Sequence, residues 1–414
     1  MRKYTDLLKG VRVVELCWAW AGPLAGRMFG DLGAEVIKIE GPSRPDAVRF
    51  GNYPDNDPGT EPWNRGGHFQ KHSRNKKSLV LDLTAVRGRE IFLDLIERSD
   101  VFIENNAPRV LVNLGITYDD IRKRNPRIVM VSMPGFGNSG PMRDWVAFGL
   151  NLEAYCGISS ITGYADTGPV RSVVPYGDPI VGMHATIAAL AALRAARRTG
   201  RGRFVEVAQD ESLLNILLEP IFRATVGDED PSPDGCHHEH ISPHSVYATK
   251  GDDEWVCLTA AREDEFAALA KLVGHEEWLA DAALDSPFKR KAREVELDQA
   301  ISAWTTSQPR DDAVAALRRA GVPAAPAQRV DEVVNDPLLA RRGYWQDVVH
   351  PVTGRLPYAH LPWSYWQSER AELGPAPLFG QHNREVLEGI LGMSSEAVDQ
   401  LEADGIIATR PNMA

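Results

Sequence analysis

VRVVELCWAWAGPLAGRMFGDLGAEVIKIE, residues 11–40, decides the fold. Val11 to Cys17 is a short β-branched run that reads as a strand. Ala21-Gly22-Pro23 marks a turn, and Leu24, Met28, Phe29 and Leu32 then recur at helical spacing. Pro23 suits the first helical position, where its missing N–H costs nothing. Glu35 to Glu40, EVIKIE, alternates as a second strand. Strand, tight turn, helix and strand predict a βαβ unit, and hence an α/β fold with a parallel sheet.

The same grammar continues outward. Ser78 to Leu83 reads as a strand, Ala85 to Glu97 as a helix and Val101 to Asn105 as a strand. Thr117 with Asp120 forms a capping-box pattern before a short helix, and Arg127 to Met133 is a further strand. Val181 to Arg198 is a long Ala-rich helix ended by Thr199-Gly200. Phe204 to Ala208 is a strand leading into a helical Glu211 to Thr225. The pattern breaks at Gly227 to His244, a polar, turn-rich segment. A hairpin is expected around Lys250-Gly251-Asp252-Asp253, followed by helices near 262–273, 293–305 and 310–320. From Arg329 onward come short strands with prolines and a last helix around Arg384 to Leu391.

The 414 residues suffice for two domains, and 43% hydrophobic with 25% charged residues is an ordinary soluble balance. A net charge of −11 argues against general affinity for nucleic acid or an anionic membrane. Cys17, Cys156, Cys236 and Cys257 are scattered with no CxxC pair, which fits a reducing compartment and no zinc knuckle. Met1 to Lys9 has no apolar signal core, and Val181 to Ala196 is too short to span a bilayer. A cytoplasmic enzyme is the expectation.

Several segments could carry chemistry. Gly177-Asp178-Pro179 precedes the Ala-rich helix. Asp178 reads first as an N-cap, and that does not exclude a nucleophilic carboxylate kept ionised by the helix dipole, with Gly177 admitting substrate. The turn Cys17 to Pro23 lies at the carboxyl end of the first strand, where open α/β sheets bind ligands. Trp18 and Trp20 there suit either the core or a stacking contact with an adenine or an aromatic acid. Cys236-His237-His238-Glu239-His240 matches no standard zinc spacing and reads instead as a polar loop touching substrate. Lys289-Arg290-Lys291 reads as a solvated helix face. No P-loop, GxSxG or HExxH is present, and no GxGxxG opens a helix after a strand.

The runs AGPLAGRMFGDLGAEVIKIE (21–40), NKKSLVLDL (75–83), DVFIENNAPRVLVNLGITYDDIRKRNPRIVMVSMPGFG (100–137) and GDPIVGMHATIAALAALRAARRTGRGRFVEVAQDE (177–211) resemble the class III CoA-transferases. So do AGVPAAPAQRVDEVVNDPLLARRGYW and LFGQHNREVLEGILG in the tail. The resemblance implies an interlocked homodimer of ring-like chains, each with a Rossmann-like large domain and a smaller α+β domain. The large domain would comprise 1–226, rejoined by 326–414, and the small domain 227–325.

The resemblance also implies that Asp178 attacks an acyl-CoA thioester and that no metal or permanent cofactor takes part. The partners would be acyl-CoA and a small organic acid larger than formate. Coenzyme A would be held by Trp20, Ala21, Leu81, Asp82, Leu83, Thr84, Asn105, Asn106 and Ala107. Asn113 stands where an Arg is expected to hold CoA phosphates, and Gly41 where a basic residue is expected. Arg44, Arg49 or Arg109 would compensate. Trp18, His237 and His238 would face the acid. Related racemases carry a His where this chain has Phe148, so transfer is expected over racemisation.

Overall fold

The computed structural model describes residues 7–227 and 232–412. Most of Met1 to Lys9 and positions 228–231 of the polar segment therefore lie outside the described residues. The described chain divides into two compact units, one formed by 7–158, 171–227 and 340–412, the other by 159–170 and 232–339.

The first unit is built on six parallel strands: β1 (Arg12–Leu16), β2 (Glu35–Glu40), β3 (Lys76–Val80), β4 (Val101–Glu104), β5 (Val129–Ser132) and β6 (Arg203–Glu206). Their order is β3-β2-β1-β4-β5-β6, the doubly wound arrangement whose direction of winding reverses between β1 and β4. Central strands of such a sheet are covered on both faces, which is why they read as near-continuous apolar runs. One face packs Val14, Ile37, Leu79, Phe92, Phe102 and Met130 with Val386, Leu387 and Leu401 of the C-terminal segment. The other packs Val13, Val36, Ile103 and Val131 under α1 (Ala21–Asp31) and α7 (Gly177–Thr199). Between these lie α2 (Gly67–His72), α3 (Val86–Glu97), α4 (Arg109–Asn113), α5 (Tyr118–Arg124) and α6 (Gly149–Tyr155).

Helix α7 covers the sheet through Val181, Ala185, Ala189, Ala192 and Ala196. A Cβ at Gly182 would lie 2.6 Å from the Ala21 carbonyl oxygen, so the small residues of α7 permit close approach to α1. That contact fixes where the amino end of α7 meets the start of α1.

Several sequence expectations shift. Helix α1 begins at Ala21, placing Pro23 third; N–H groups throughout the first turn lack intrahelical partners, so the proline is still tolerated. The third strand is Lys76–Val80, displaced toward the amino end from 78–83. The helix expected over 211–225 is two, α8 (Gln209–Leu214) and α9 (Leu218–Val226). The capping box at Thr117 and Asp120 is formed as expected. The Ala-rich helix extends from Gly177 to Thr199, long and apolar enough to cross a membrane by length and composition, contrary to the shorter span expected. Its buried stripe instead packs on the sheet.

The second unit holds an antiparallel sheet in which Trp255–Thr259 lies between His244–Ala248 and Ala324–Pro326. The helices Glu263–Val273, Glu294–Thr305 and Arg310–Ala320 pack Phe266, Leu269, Leu297, Ile301 and Leu317 against it. The unit boundaries differ from 227–325. It retains residues to 339, and it takes in the small hairpin of Gly163–Tyr164 with Gly168–Pro169, whose Gly163 carbonyl accepts from the Gly235 N–H at 2.8 Å.

Candidate active site

The turn from Cys17 to Pro23 leaves β1 at the reversal point of the sheet, and buried charges hold it. Lys38 Nζ reaches Glu15 Oε1 (3.2 Å), Asp46 Oδ2 (3.0 Å) and the Cys17 carbonyl (2.6 Å). Lys76 Nζ reaches Glu15 Oε2 (2.6 Å) and the Pro23 carbonyl (2.8 Å). Asp46 Oδ1 accepts the Ala19 N–H at 3.1 Å. Burial presses the Lys76 ammonium down to about 8, with Glu15 opposing it. Charges buried this completely are tolerable only when fully paired, and here the pairs tie three backbone atoms of one turn to the sheet. Ala19 has φ +62°, the left-handed region that costs an alanine about 1–2 kcal/mol. Such strain persists where its surroundings over-determine it.

Trp18 is held across the reversal point. Its N–H donates to Asn105 Oδ1 (2.8 Å), and its carbonyl accepts from Asn105 Nδ2 (2.9 Å). The Asn106 side chain donates to the Leu16 carbonyl (3.1 Å), and its N–H to Glu104 (2.9 Å). Both asparagines therefore spend side-chain groups on joining the ends of β1 and β4.

Asp178 is the second residue of α7. The N-cap is Tyr176, with no side-chain capping bond, so Asp178 is not the cap its sequence suggests. A buried carboxylate from α6 supplies the acceptor instead: Glu153 takes the Tyr176 N–H (2.5 Å) and the Ser172 hydroxyl. The Asp178 side chain is thereby left free of the capping role, and the backbone N–H groups of Ala21 and of Asp178 itself favour its charged form. Burial raises its pKa from 3.8 to about 6; those two N–H groups oppose the rise and the Glu153 charge adds to it. Where the sequence suggests an ordinary, fully ionised helix-end carboxylate, desolvation outweighs the dipole and pushes the Asp178 carboxyl up to about 6. A Cβ at Gly149 would lie 2.4 Å from Asp178 Oδ2, so only glycine leaves room for the carboxylate there.

The other sequence candidates fall into groups. Trp18, Trp20, Ala21, Arg44, Leu81 to Thr84 and Asn105 to Ala107 all follow the carboxyl ends of β1 to β4, on one edge of the sheet. The Leu81 and Leu83 side chains are buried in the core, leaving only their backbone for a ligand. Asp82 Oδ1 accepts from the Thr84 N–H (2.9 Å) and hydroxyl (2.6 Å). Arg44 and Asn113 are exposed, as is Arg109, which donates to the Asp144 carbonyl. Arg49 does not serve as a free cation. It is buried and paired bidentately with Glu40 (2.7 and 2.6 Å), with its guanidinium 3.7 Å from the Phe69 ring centroid. Burial alone would raise the Glu40 carboxyl, but Arg49 holds it below the usual range.

His237 and His238 belong to the second unit. There His237 Nε2 meets Asp298 at 2.9 Å, Asp298 accepts the Tyr247 hydroxyl at 2.6 Å, and the His238 ring lies 5.4 Å from that of His244. Arg290, expected on a solvated face, is buried; it donates to the Ser242 carbonyl and pairs with Glu263. Among the described residues, no group of three His, Cys, Asp or Glu is placed to hold a metal ion.

Sequence reasoning missed Glu153, Gly149, Ala19 and the Glu15–Lys38–Lys76 network. Charged residues inside the β-branched runs RVVEL, EVIKIE and KKSLV were the available signal for the network.

A carboxylate so placed can act as a nucleophile toward an acyl group, and comparison with known proteins bears on which. The sequence model of CoA-transferase family III matches residues 8–383. A probable CoA-transferase of Mycobacterium tuberculosis is 33% identical over 409 residues, covering 95% of this chain and 49% of that protein, so the chain spans about half its length. A succinyl-CoA–D-citramalate CoA-transferase of Chloroflexus aurantiacus is 30% identical over 406 residues, covering 97% of this chain and 98% of the other. The crystal structure of a CAIB/BAIF family protein from Brucella suis superposes with a TM-score of 0.84 at 28% identity, covering 92% of this chain and 99% of that one.

Proposed function

The chain belongs to CoA-transferase family III, and from that premise we propose that it moves CoA from an acyl-CoA to an organic acid through covalent intermediates on Asp178. One observation carries the reading: the Asp178 carboxylate lies half-buried in the first turn of α7, with room left for it only because residue 149 is glycine, and burial raises its pKa to about 6. It is therefore largely ionised above pH 7 yet poorly solvated, which suits a nucleophile.

An Asp178 oxygen attacks the thioester carbonyl carbon, the C–S bond breaks, and CoA leaves as thiolate from an aspartyl acyl anhydride. The thiolate attacks the aspartyl carbonyl carbon, the donor acid leaves as carboxylate, and an aspartyl-CoA thioester remains. The acceptor carboxylate attacks that thioester and regenerates an anhydride and thiolate. Attack of the thiolate on the acceptor acyl carbon releases the new acyl-CoA and restores Asp178, with no net proton transferred. The Ala21 N–H and the positive ends of α1 and α7 lie beside the aspartyl group, where charge builds in each tetrahedral intermediate. CoA would run along the edge carrying Trp20, Ala21, Leu81 to Thr84 and Asn105 to Ala107. Arg44 and Arg109, both exposed, would be cations for its phosphates.

The active form is a homodimer of interlocked chains on this reading. It is supported by α9, which buries none of its residues within one chain while exposing Leu218, Ile221, Phe222 and Val226, and by Met183 and Ile187 exposed on α7.

The test is intact-mass analysis after mixing the protein with a panel of acyl-CoAs and trapping with hydroxylamine. A hydroxamate on Asp178 is the expected result; no adduct with any donor, alongside exchange of the α-proton, would overturn it.

A further inference from the structure

The amino-terminal edge of the parallel sheet, opposite the edge that carries the candidate site, gathers positive charge in a chain of net charge −11. Two segments meet there: IRKRNPRI (121–128) at the end of α5, and LRAARRTGRGR (193–203) from the last turns of α7 into β6. Together they hold nine Arg and Lys and no Asp or Glu, and all nine are exposed. The Gly202 N–H donates to the Pro126 carbonyl at 2.8 Å, and the Arg203 N–H to the Ile128 carbonyl at 3.1 Å. A Cβ at Gly202 would lie 1.9 Å from the Ile128 carbonyl oxygen, so glycine lets the two segments close.

Counter-charge falls short. Arg124 pairs with Glu90 and Asp94, and Lys123 stands 3.7 Å from Asp120. Among the described residues, the other seven of the nine pair with no carboxylate. Helices α3, α5 and α7 each run into the start of the next strand, so their carboxyl ends lie on this edge. Each brings about half a negative charge. Cations in the last turns of α5 and α7 answer those dipoles, but Arg127, Arg201 and Arg203 lie beyond both helices.

A cavity of 330 Å³ opens among these groups, lined by Arg98, Arg127 and Arg197 with Glu97 and Asp100, and by the apolar Leu193 and Ala196. Asp100 already accepts the Arg12 N–H at 2.9 Å. The buried Asn125 side chain sets the cavity's shape. It donates to the carbonyls of Ile96 (2.9 Å) and Ser99 (2.8 Å) and accepts the Arg127 N–H (3.0 Å), tying the end of α3 to the loop bearing Arg127. Arg201, Gly202 and Arg203 line a second opening of 540 Å³.

We infer that the cavity among Arg98, Arg127 and Arg197 binds the oligophosphate group of a small phosphorylated ligand. Guanidinium forks match phosphate oxygens two at a time, and the volume is that of a small-molecule site. Seven unpaired cations and Arg98 face roughly 3.5 negative charges from the three helix ends, Glu97 and Asp100, a surplus of roughly four. An oligophosphate meets that surplus where a single carboxylate does not. Asp178 and Arg197 lie about 28 Å apart along α7, so a ligand here leaves the Asp178 end of the helix open.

The experiment is calorimetric titration of the full chain with sodium tripolyphosphate, ATP and a single-stranded RNA oligonucleotide at low salt. It uses wild type, the double variant Arg127→Gln with Arg197→Gln, and Arg319→Gln in the second unit as a control for bulk charge. The expected result is saturable tripolyphosphate binding at one per chain, weakened at least about tenfold in the double variant and unchanged in the control. Equal affinities for tripolyphosphate and ATP assign the site to the phosphate chain alone, and tighter ATP assigns it to a nucleotide. No saturable binding, or equal binding in wild type and the double variant, would overturn the site. So would RNA binding without tripolyphosphate binding, which makes this edge a nucleic-acid surface. A lower molecular mass of the double variant on size exclusion, with tripolyphosphate binding unweakened, would instead make these arginines contacts between copies of the chain.

Discussion

The carboxylate of Glu153, on α6, accepts the backbone N–H of Tyr176 at 2.5 Å and so serves the N-cap of α7, two residues before Asp178. The cap of α7 is thereby supplied from another helix, and Asp178 is left without that role. Close packing of α1 and α7 at Gly182 brings the start of α1 against the same end of α7.

Asp178→Asn keeps the shape of the site and removes the proposed nucleophile. Turnover is expected to fall by about 10³-fold or more, with hydroxylamine trapping no adduct. The variant should also be the more stable protein at neutral pH. A folded pKa near 6, above the ordinary 3.8, means that the stabilising contribution of Asp178 is fully present below pH 4 and lost as pH rises through 6. Denaturant titrations should show Asn ahead by about 1–3 kcal/mol at pH 8, and the gap closing by pH 4.

On the proposed mechanism transfer requires the ionised carboxylate, so kcat/KM is expected to fall below about pH 6 with the slope of one proton. Glu153→Gln retains an oxygen acceptor for the Tyr176 N–H but removes the neighbouring charge. Its pH–rate profile should show the acid limb displaced to lower pH. An unmoved limb would mean that burial alone sets the titration.

Gly149→Ala places a methyl 2.4 Å from Asp178 Oδ2 and 2.6 Å from the Pro175 Cβ. The carboxylate must shift, and kcat/KM is expected to drop about 10²-fold. Overpacking costs about 1–3 kcal/mol, readable separately as a lowered Tm.

Ala19 tests the strained turn. Glycine accepts φ +62° without steric cost, so Ala19→Gly should match or exceed wild-type stability by up to about 1 kcal/mol. Ala19→Val should lose about 1–2 kcal/mol or more and raise the KM for acyl-CoA, measured with any donor that is turned over.

Sequence by itself determined what is local. The strand–turn–helix–strand of residues 11–40, the helix Val86–Glu97 and the Thr117–Asp120 capping box depend on neighbours within a few residues, and periodicity exposes them. It also marked Asp178, because Gly-Asp-Pro before an Ala-rich helix is a local pattern. Tertiary structure decided what that carboxylate is. Glu153 reaches Tyr176 across 23 positions and Lys76 reaches Glu15 across 61, so no window of sequence contains either pair. Arg49, offered by the sequence as a cation for CoA phosphates, is a buried partner of Glu40. Charge and desolvation act through space, and only the folded chain sets those distances.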